Sequence, residues 1–116
     1  MSEIRIVAEK ISLPEIKKVA EERFGDMVKG VVDIEKGIMA IGGEMHADEE
    51  AVLLENGSVQ ANLWGINIYP DNTGADFIEF DSMINIRPRQ NNRSRSVEDA
   101  DLREKILVVV NKLVTE

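Results

Sequence analysis

The amino-acid sequence predicts an α+β fold, a mainly antiparallel sheet of about five strands with helices packed on one face, in the order β-α-β-β-α-β-β-α. Three observations lead there. Two pairs of β-rich, alternating segments are each joined by a short turn, so sequence neighbours pair as hairpins. Two Ser-x-x-acid signatures, at Ser12 and Ser96, stand directly before apolar residues at helical spacing. The segments between strands leave little room for the crossovers that a parallel sheet needs.

Residues 4–8 form a short strand carrying Ile4, Ile6 and Val7. Ser12 and Glu15 then make a capping box, in which each side chain satisfies a free amide of the first helical turn. Leu13, Ile16, Val19, Ala20 and Phe24 line one face of the helix that follows, and Gly25 suits the left-handed residue that ends it. Residues 27–36 and 38–45 make a hairpin around Glu35-Lys36-Gly37. Gly42-Gly43 near its end implies a bulge or a close backbone approach. Residues 48–55 make a helix of about two turns, too short to stand without tertiary packing. Strands over 63–69 and 77–87 follow, joined by Pro70-Asp71-Asn72-Thr73-Gly74. The capping box at Ser96 opens a last helix striped with Leu102, Ile106, Val109 and Leu113.

Alternation assigns sides to the strands. Trp64, Ile66 and Ile68 face the core, as do Ile78, Phe80, Ile84 and Ile86, and a lone tryptophan on that side reads as core. The opposite face then carries Lys29, Asp33, Asn67, Tyr69, Glu79, Asp81, Asn85 and Arg87, a polar surface on one side of the sheet.

One domain over residues 1–116 is the expected organisation, with no linker, repeat or low-complexity stretch. Twenty-two acidic against 14 basic residues give a net charge of -8, which argues against nucleic acid and anionic membranes as partners because both would be repelled. The absence of cysteine excludes disulfides, thiolate metal sites and a cysteine nucleophile. The N-terminus has no apolar signal region and the longest apolar run, 106–110, is too short for a membrane span, so a soluble cytoplasmic protein is expected.

Three clusters are able to carry chemistry. Arg87, Arg89, Arg93 and Arg95 are four of seven arginines, in a stretch without acids from Ser82 to Val97 that leads into a helix N-terminus. With Asn85 they suit a phosphate or carboxylate, since guanidinium forks and free amides both favour anions. The same arginines also suit pairing with Glu79, Asp81, Glu98 and Asp99, or with a second subunit. His46, the only histidine, stands among Glu44, Asp48, Glu49 and Glu50. Glu44, His46 and Asp48 are weak candidates for a metal, and His46 with Asp48 for acid-base catalysis; the spacing matches no established metal signature. Acids here are equally ordinary as complements of a helix dipole, with Asp48 as cap. Glu79 and Asp81, two apart on a strand, share a face and suit a bound cation, an acid/base pair or a solvated sheet surface. No phosphate loop, nucleophile elbow or paired-histidine zinc motif occurs, and no cofactor is implied.

The strings GDMVKGVVDIEKGIMAIGGEMHADEEAVLLENGS, LWGINIYP, FIEFDSMINIRP and NRSRSVED with LREKI resemble a small prokaryotic family of uncharacterised proteins, a domain of unknown function. The resemblance runs from about Gly25 to the last helix and implies a small stand-alone domain. It implies no activity and gives no residue a catalytic role. From the residues alone, the expected function is a non-enzymatic binding or interaction module, a homo-oligomer that meets a small anionic ligand or partner with its polar face and arginine loop. The alternative is an enzyme acting on a small anionic, phosphoester-like substrate, with the His46 turn and the 81–87 strand end converging on one pocket.

Overall fold

The computed structural model of the chain describes residues 4–116, so residues 1–3 of the expected domain lie outside the described residues. In chain order the elements are β1 (Arg5–Val7), β2 (Ile11–Ser12), α1 (Leu13–Arg23), β3 (Val28–Asp33), β4 (Ile38–Ile41), α2 (His46–Glu55), β5 (Leu63–Ile68), β6 (Ile78–Glu79), α3 (Ala100–Leu113) and β7 (Val114–Thr115). The α+β class and the antiparallel sheet are as the sequence predicts. Five strands lie in the order β1-β4-β3-β5-β6, each antiparallel to its neighbours. A short parallel pair, β2 with β7, ties the start of α1 to the end of α3, and no alternation in so few residues announces it.

Local chemistry sets the ends of these elements. The Ser12 hydroxyl accepts from the Glu15 amide at 3.3 Å and Glu15 Oε1 accepts from the Ser12 amide at 3.1 Å, so the capping box at α1 forms as predicted. That helix ends at Gly25, in the left-handed region at φ +94°. In the β3–β4 turn, Asp33 Oδ1 accepts the amides of Glu35 and Lys36, both at 2.9 Å, and Oδ2 accepts the Ser58 hydroxyl at 2.7 Å. A buried carboxylate is thus fully used to hold the hairpin in register.

The main core lies between one sheet face and helices α1 and α3: Val28, Val32, Met39, Ile41, Trp64, Ile66 and Ile68 against Ile16, Ala20, Ile106, Val109 and Leu113. Where alternation places all helices on that face, the structure puts α2 on the other. Leu53 of α2 packs there with Val31, Ala40 and Leu63, and Ile84 closes over them. The face is only half polar: residues 31, 40 and 63 are apolar, and that is enough to seat a helix.

Two further expectations are corrected. The strand over 77–87 shrinks to Ile78–Glu79, after which the chain turns through a 3-10 segment, Met83–Asn85, so Ile84 faces α2 and not the main core. The capping box at Ser96 does not form. Asp99 caps α3, its Oδ1 accepting the Asp101 and Leu102 amides at 2.8 and 3.3 Å, and the helix starts four residues past Ser96.

Candidate functional site

Pairing register builds the site. Lys29 of β3 stands opposite Asn67 of β5, and Asn67 opposite Glu79 of β6, giving one polar row across three strands on the face that α2 partly covers. In the next row Val31 opposes Gly65. A Cβ at Gly65 would lie 2.5 Å from Ser82 Cβ and 3.2 Å from the His46 ring, so only glycine lets the 82–85 turn and the first turn of α2 settle onto the sheet there.

His46 begins α2, two residues before the predicted start, and Met45 takes the cap position without a side-chain bond. Asp48 sits exposed in the first turn and is not the cap. The His46 ring turns inward, with Nε2 at 2.8 Å from the Ile66 carbonyl. A carbonyl only accepts, so Nε2 carries the proton in that contact and Nδ1 keeps its lone pair. Burial lowers the basicity of His46; the Lys29 charge adds to this, while the Ile66 carbonyl, the Asn67 side chain and Asp81 oppose it.

These groups surround a cavity of about 480 Å³, within the ordinary range for small-molecule sites. Its polar lining comes from Lys29, His46, Asn67, Tyr69, Glu79, Asp81, Ser82 and Arg95, and its apolar lining from Met27, Met45, Met83 and Ile84. Asn67 is 6% exposed. Its Nδ2 donates to Glu79 Oε1 at 2.8 Å and to the Asp81 carbonyl at 3.3 Å, which fixes the amide and leaves Oδ1 buried without a partner among the described residues. Tyr69 also donates to Glu79 Oε1, at 3.0 Å; burial and that neighbouring carboxylate hold its phenol above the usual range. Arg95 Nε donates to Asp81 Oδ1 at 2.7 Å.

Residues 5–113 match a family model described as a protein of unknown function, DUF5674. The chain belongs to the DUF5674 family. No curated protein and no solved structure gives a significant match.

Of the site residues the sequence singles out, this DUF5674 fold brings His46, Glu79, Asp81 and Arg95 together around one cavity. It does not assemble the Glu44, His46 and Asp48 set. Glu44 is exposed and pairs with Arg23 at 3.1 Å, and among the described residues no three His, Asp or Glu side chains form a metal-ligating group.

Nor do the four arginines form one anion cradle. Arg87 donates to the carbonyls of Ile84 and Gln60, each at 2.9 Å, and of Leu63, pairs with Glu50 at 3.4 Å and stacks 4.6 Å from the Trp64 ring. It pins the loop to the start of β5 and lines a different hollow, with Arg89. Asn85 is fully buried and bonded to backbone, so it does not face a ligand. The Arg93 amide donates to Glu98 Oε2 at 3.2 Å. Glu98 is itself held low in pKa, first by the Ser94 hydroxyl and then by the Arg93 and Ser94 amides. With the capping carboxylate of Asp99 on the first amides of α3, the helix N-terminus also offers an anion little.

Sequence alternation puts Lys29, Asn67 and Tyr69 on the right face but does not single them out. The register Lys29–Asn67–Glu79 is the signal, and it requires knowing which strands adjoin. Among the described residues no helix is long and apolar enough to cross a membrane.

Proposed function

We propose that the protein binds a small molecule in the cavity between the start of α2 and strands β5 and β6, with His46 and Asn67 as its floor. The observation that carries this reading is Asn67 Oδ1, a buried acceptor beside the cavity with no partner among the described residues, where native proteins pair nearly all such groups. A ligand supplies what the chain does not. The site replaces the arginine loop as the binding centre, because Arg87 and Arg95 are engaged within the chain. A cytoplasmic, self-associating protein remains the proposed setting, and light scattering after size exclusion reads the second part.

The test is a thermal-shift screen of chemically diverse metabolites on the parent protein and on Asn67→Leu and His46→Phe. A ligand at ~100 times its dissociation constant adds about 2.7 kcal/mol, several degrees in a domain of this size. Hits that disappear in both variants support the site. Hits unaffected by either place binding elsewhere and overturn it.

One observation favours an acid-base enzyme as the second reading. The Ile66 carbonyl fixes the His46 tautomer, which leaves Nδ1 as a base of lowered pKa beside Glu79 and Asp81 in one cavity. Turnover of small phosphoesters, abolished in His46→Gln with binding retained, would establish it.

A further inference from the structure

We infer that the cavity takes an aliphatic amine, its ammonium group held between His46 Nδ1, Asn67 Oδ1 and the carboxylates of Glu79 and Asp81, its carbon chain against the methionines. The inference rests on the ligand-binding reading above and names the class of ligand.

The wall is acceptor-rich. With Nε2–H committed to the Ile66 carbonyl, the remaining ring nitrogen of His46 is an acceptor. Asn67 Oδ1 is an acceptor by the orientation its Nδ2 contacts impose, and it is unpartnered among the described residues. Glu79 uses Oε1 for both of its recorded bonds and Asp81 uses Oδ1 for Arg95, so each carboxylate keeps a second oxygen without a recorded partner among the described residues. A group entering this wall must donate several hydrogen bonds from a small volume, and an ammonium has three donors on one atom.

Charge points the same way. Two carboxylates and two cations border the cavity, and of these Arg95 is committed to Asp81 while the Lys29 charge reaches His46. The Arg95 guanidinium pairs with Asp81, and the Lys29 ammonium lies 5.2 Å from the centroid of the Phe24 ring, which is not part of the cavity wall. Asp81 is offset by Arg95, and Glu79, which is in no ion pair among the described residues, is the carboxylate that a cation gains at short range. The chain's net charge of -8 also favours a cation on approach. Met27, Met45, Met83 and Ile84 line the same cavity, with Met45 and Met83 57% and 66% exposed. Unbranched thioether side chains adapt to an aliphatic chain of variable length, and they offer it no polar partner.

The experiment is a titration of the full chain followed by amide chemical shifts, using n-butylammonium, n-butanol, butyrate and inorganic phosphate as probes, with Glu79→Gln as the variant. Glu79 is exposed on an edge strand, so its amide isostere keeps the fold, and the amide spectrum verifies this. The expected result is saturable shifts at Asn67, Tyr69 and the start of α2 with butylammonium, at least tenfold weaker binding of it in Glu79→Gln, and no saturation with butanol, butyrate or phosphate. Saturation by butyrate or phosphate with amines inert overturns the amine assignment while leaving a ligand site in place. Butylammonium binding that Glu79→Gln leaves unchanged overturns the assignment as well. If no small molecule in the wider metabolite screen shifts these residues, the ligand-binding reading fails and the inference falls with it.

Discussion

Asn85 bonds both backbone groups of Gly65: its Oδ1 accepts the Gly65 amide at 2.8 Å and its Nδ2 donates to the Gly65 carbonyl at 3.0 Å. A side-chain amide carries the same donor and acceptor pair as a peptide, so Asn85 continues the edge pairing of β5 after β6 ends at Glu79. The same Nδ2 reaches the Arg95 carbonyl at 3.0 Å, and Asn92 donates to the Asn85 carbonyl at 2.7 Å. One buried side chain therefore ends the strand and anchors the loop behind the cavity.

Asn85→Ala leaves the buried Gly65 amide and carbonyl unpaired and is expected to cost about 2–4 kcal/mol of stability, since each orphaned buried group forfeits its desolvation. Urea unfolding measures it. A loss under about 0.5 kcal/mol, the range of ordinary surface substitutions, would mean the amide bonds contribute nothing.

Gly65→Ala is expected to destabilise by about 1–3 kcal/mol through overpacking, and to weaken any ligand of the cavity. The clash is with Ser82 Cβ, an atom next to the backbone that no rotamer change removes. Pairing it with Ser82→Gly deletes that atom. The double variant should regain a large part of the lost melting temperature, and failure to do so would assign the cost to the His46 ring.

Arg87→Met is expected to cost about 3 kcal/mol, because it strands the Glu50 carboxylate, 14% exposed, without its partner. Arg87→Lys should recover little, since a point ammonium cannot reach the Ile84, Gln60 and Leu63 carbonyls at once. Adding Glu50→Gln to Arg87→Met should restore part of the stability. Trp64, the only tryptophan, lies under the guanidinium and reports the change in its fluorescence.

Much of the fold was legible because it depends on neighbours in sequence. The Ser12–Glu15 box, the turn after Asp33 and the core side of Trp64, Ile66 and Ile68 each follow from a few adjacent residues. The second face was not. Asn85 has the alternation of a strand residue, yet its side chain satisfies the sheet better than its backbone does, and local pattern does not distinguish the two. Asp99 prevailed over Ser96 as cap because Asn92 and Glu98 fold the intervening loop back on itself. At the site, Glu79, Asp81 and His46 were visible as residue types. Asn67 became visible only through the register that sets it between Lys29 and Glu79.

Glu49 is completely buried in α2, accepting the Gly43 amide on Oε2 at 2.8 Å, with Oε1 unpartnered among the described residues. The predicted close backbone approach at Gly42-Gly43 is this contact, since a Cβ on Gly43 would sit 3.0 Å from Glu49 Cγ. Burial pushes its pKa up to about 9, opposed by the Gly43 amide and Lys29 and aided by Asp48. The folded chain therefore keeps this proton across a range in which the unfolded chain, titrating at about 4.3, has released it. Because the native state binds more protons there, stability falls as pH rises from about 5 to about 9, by at most about 1.4 kcal/mol per pH unit from this group. Glu49→Gln keeps the shape and an acceptor for Gly43 but has no proton to lose. Its melting temperature should exceed the parent's by several degrees at pH 8 and approach it at pH 5, so the two curves converge on acidification. Parallel curves would show that Glu49 is ionised in the folded chain, and the burial of Oε1 would then require a cation beside it.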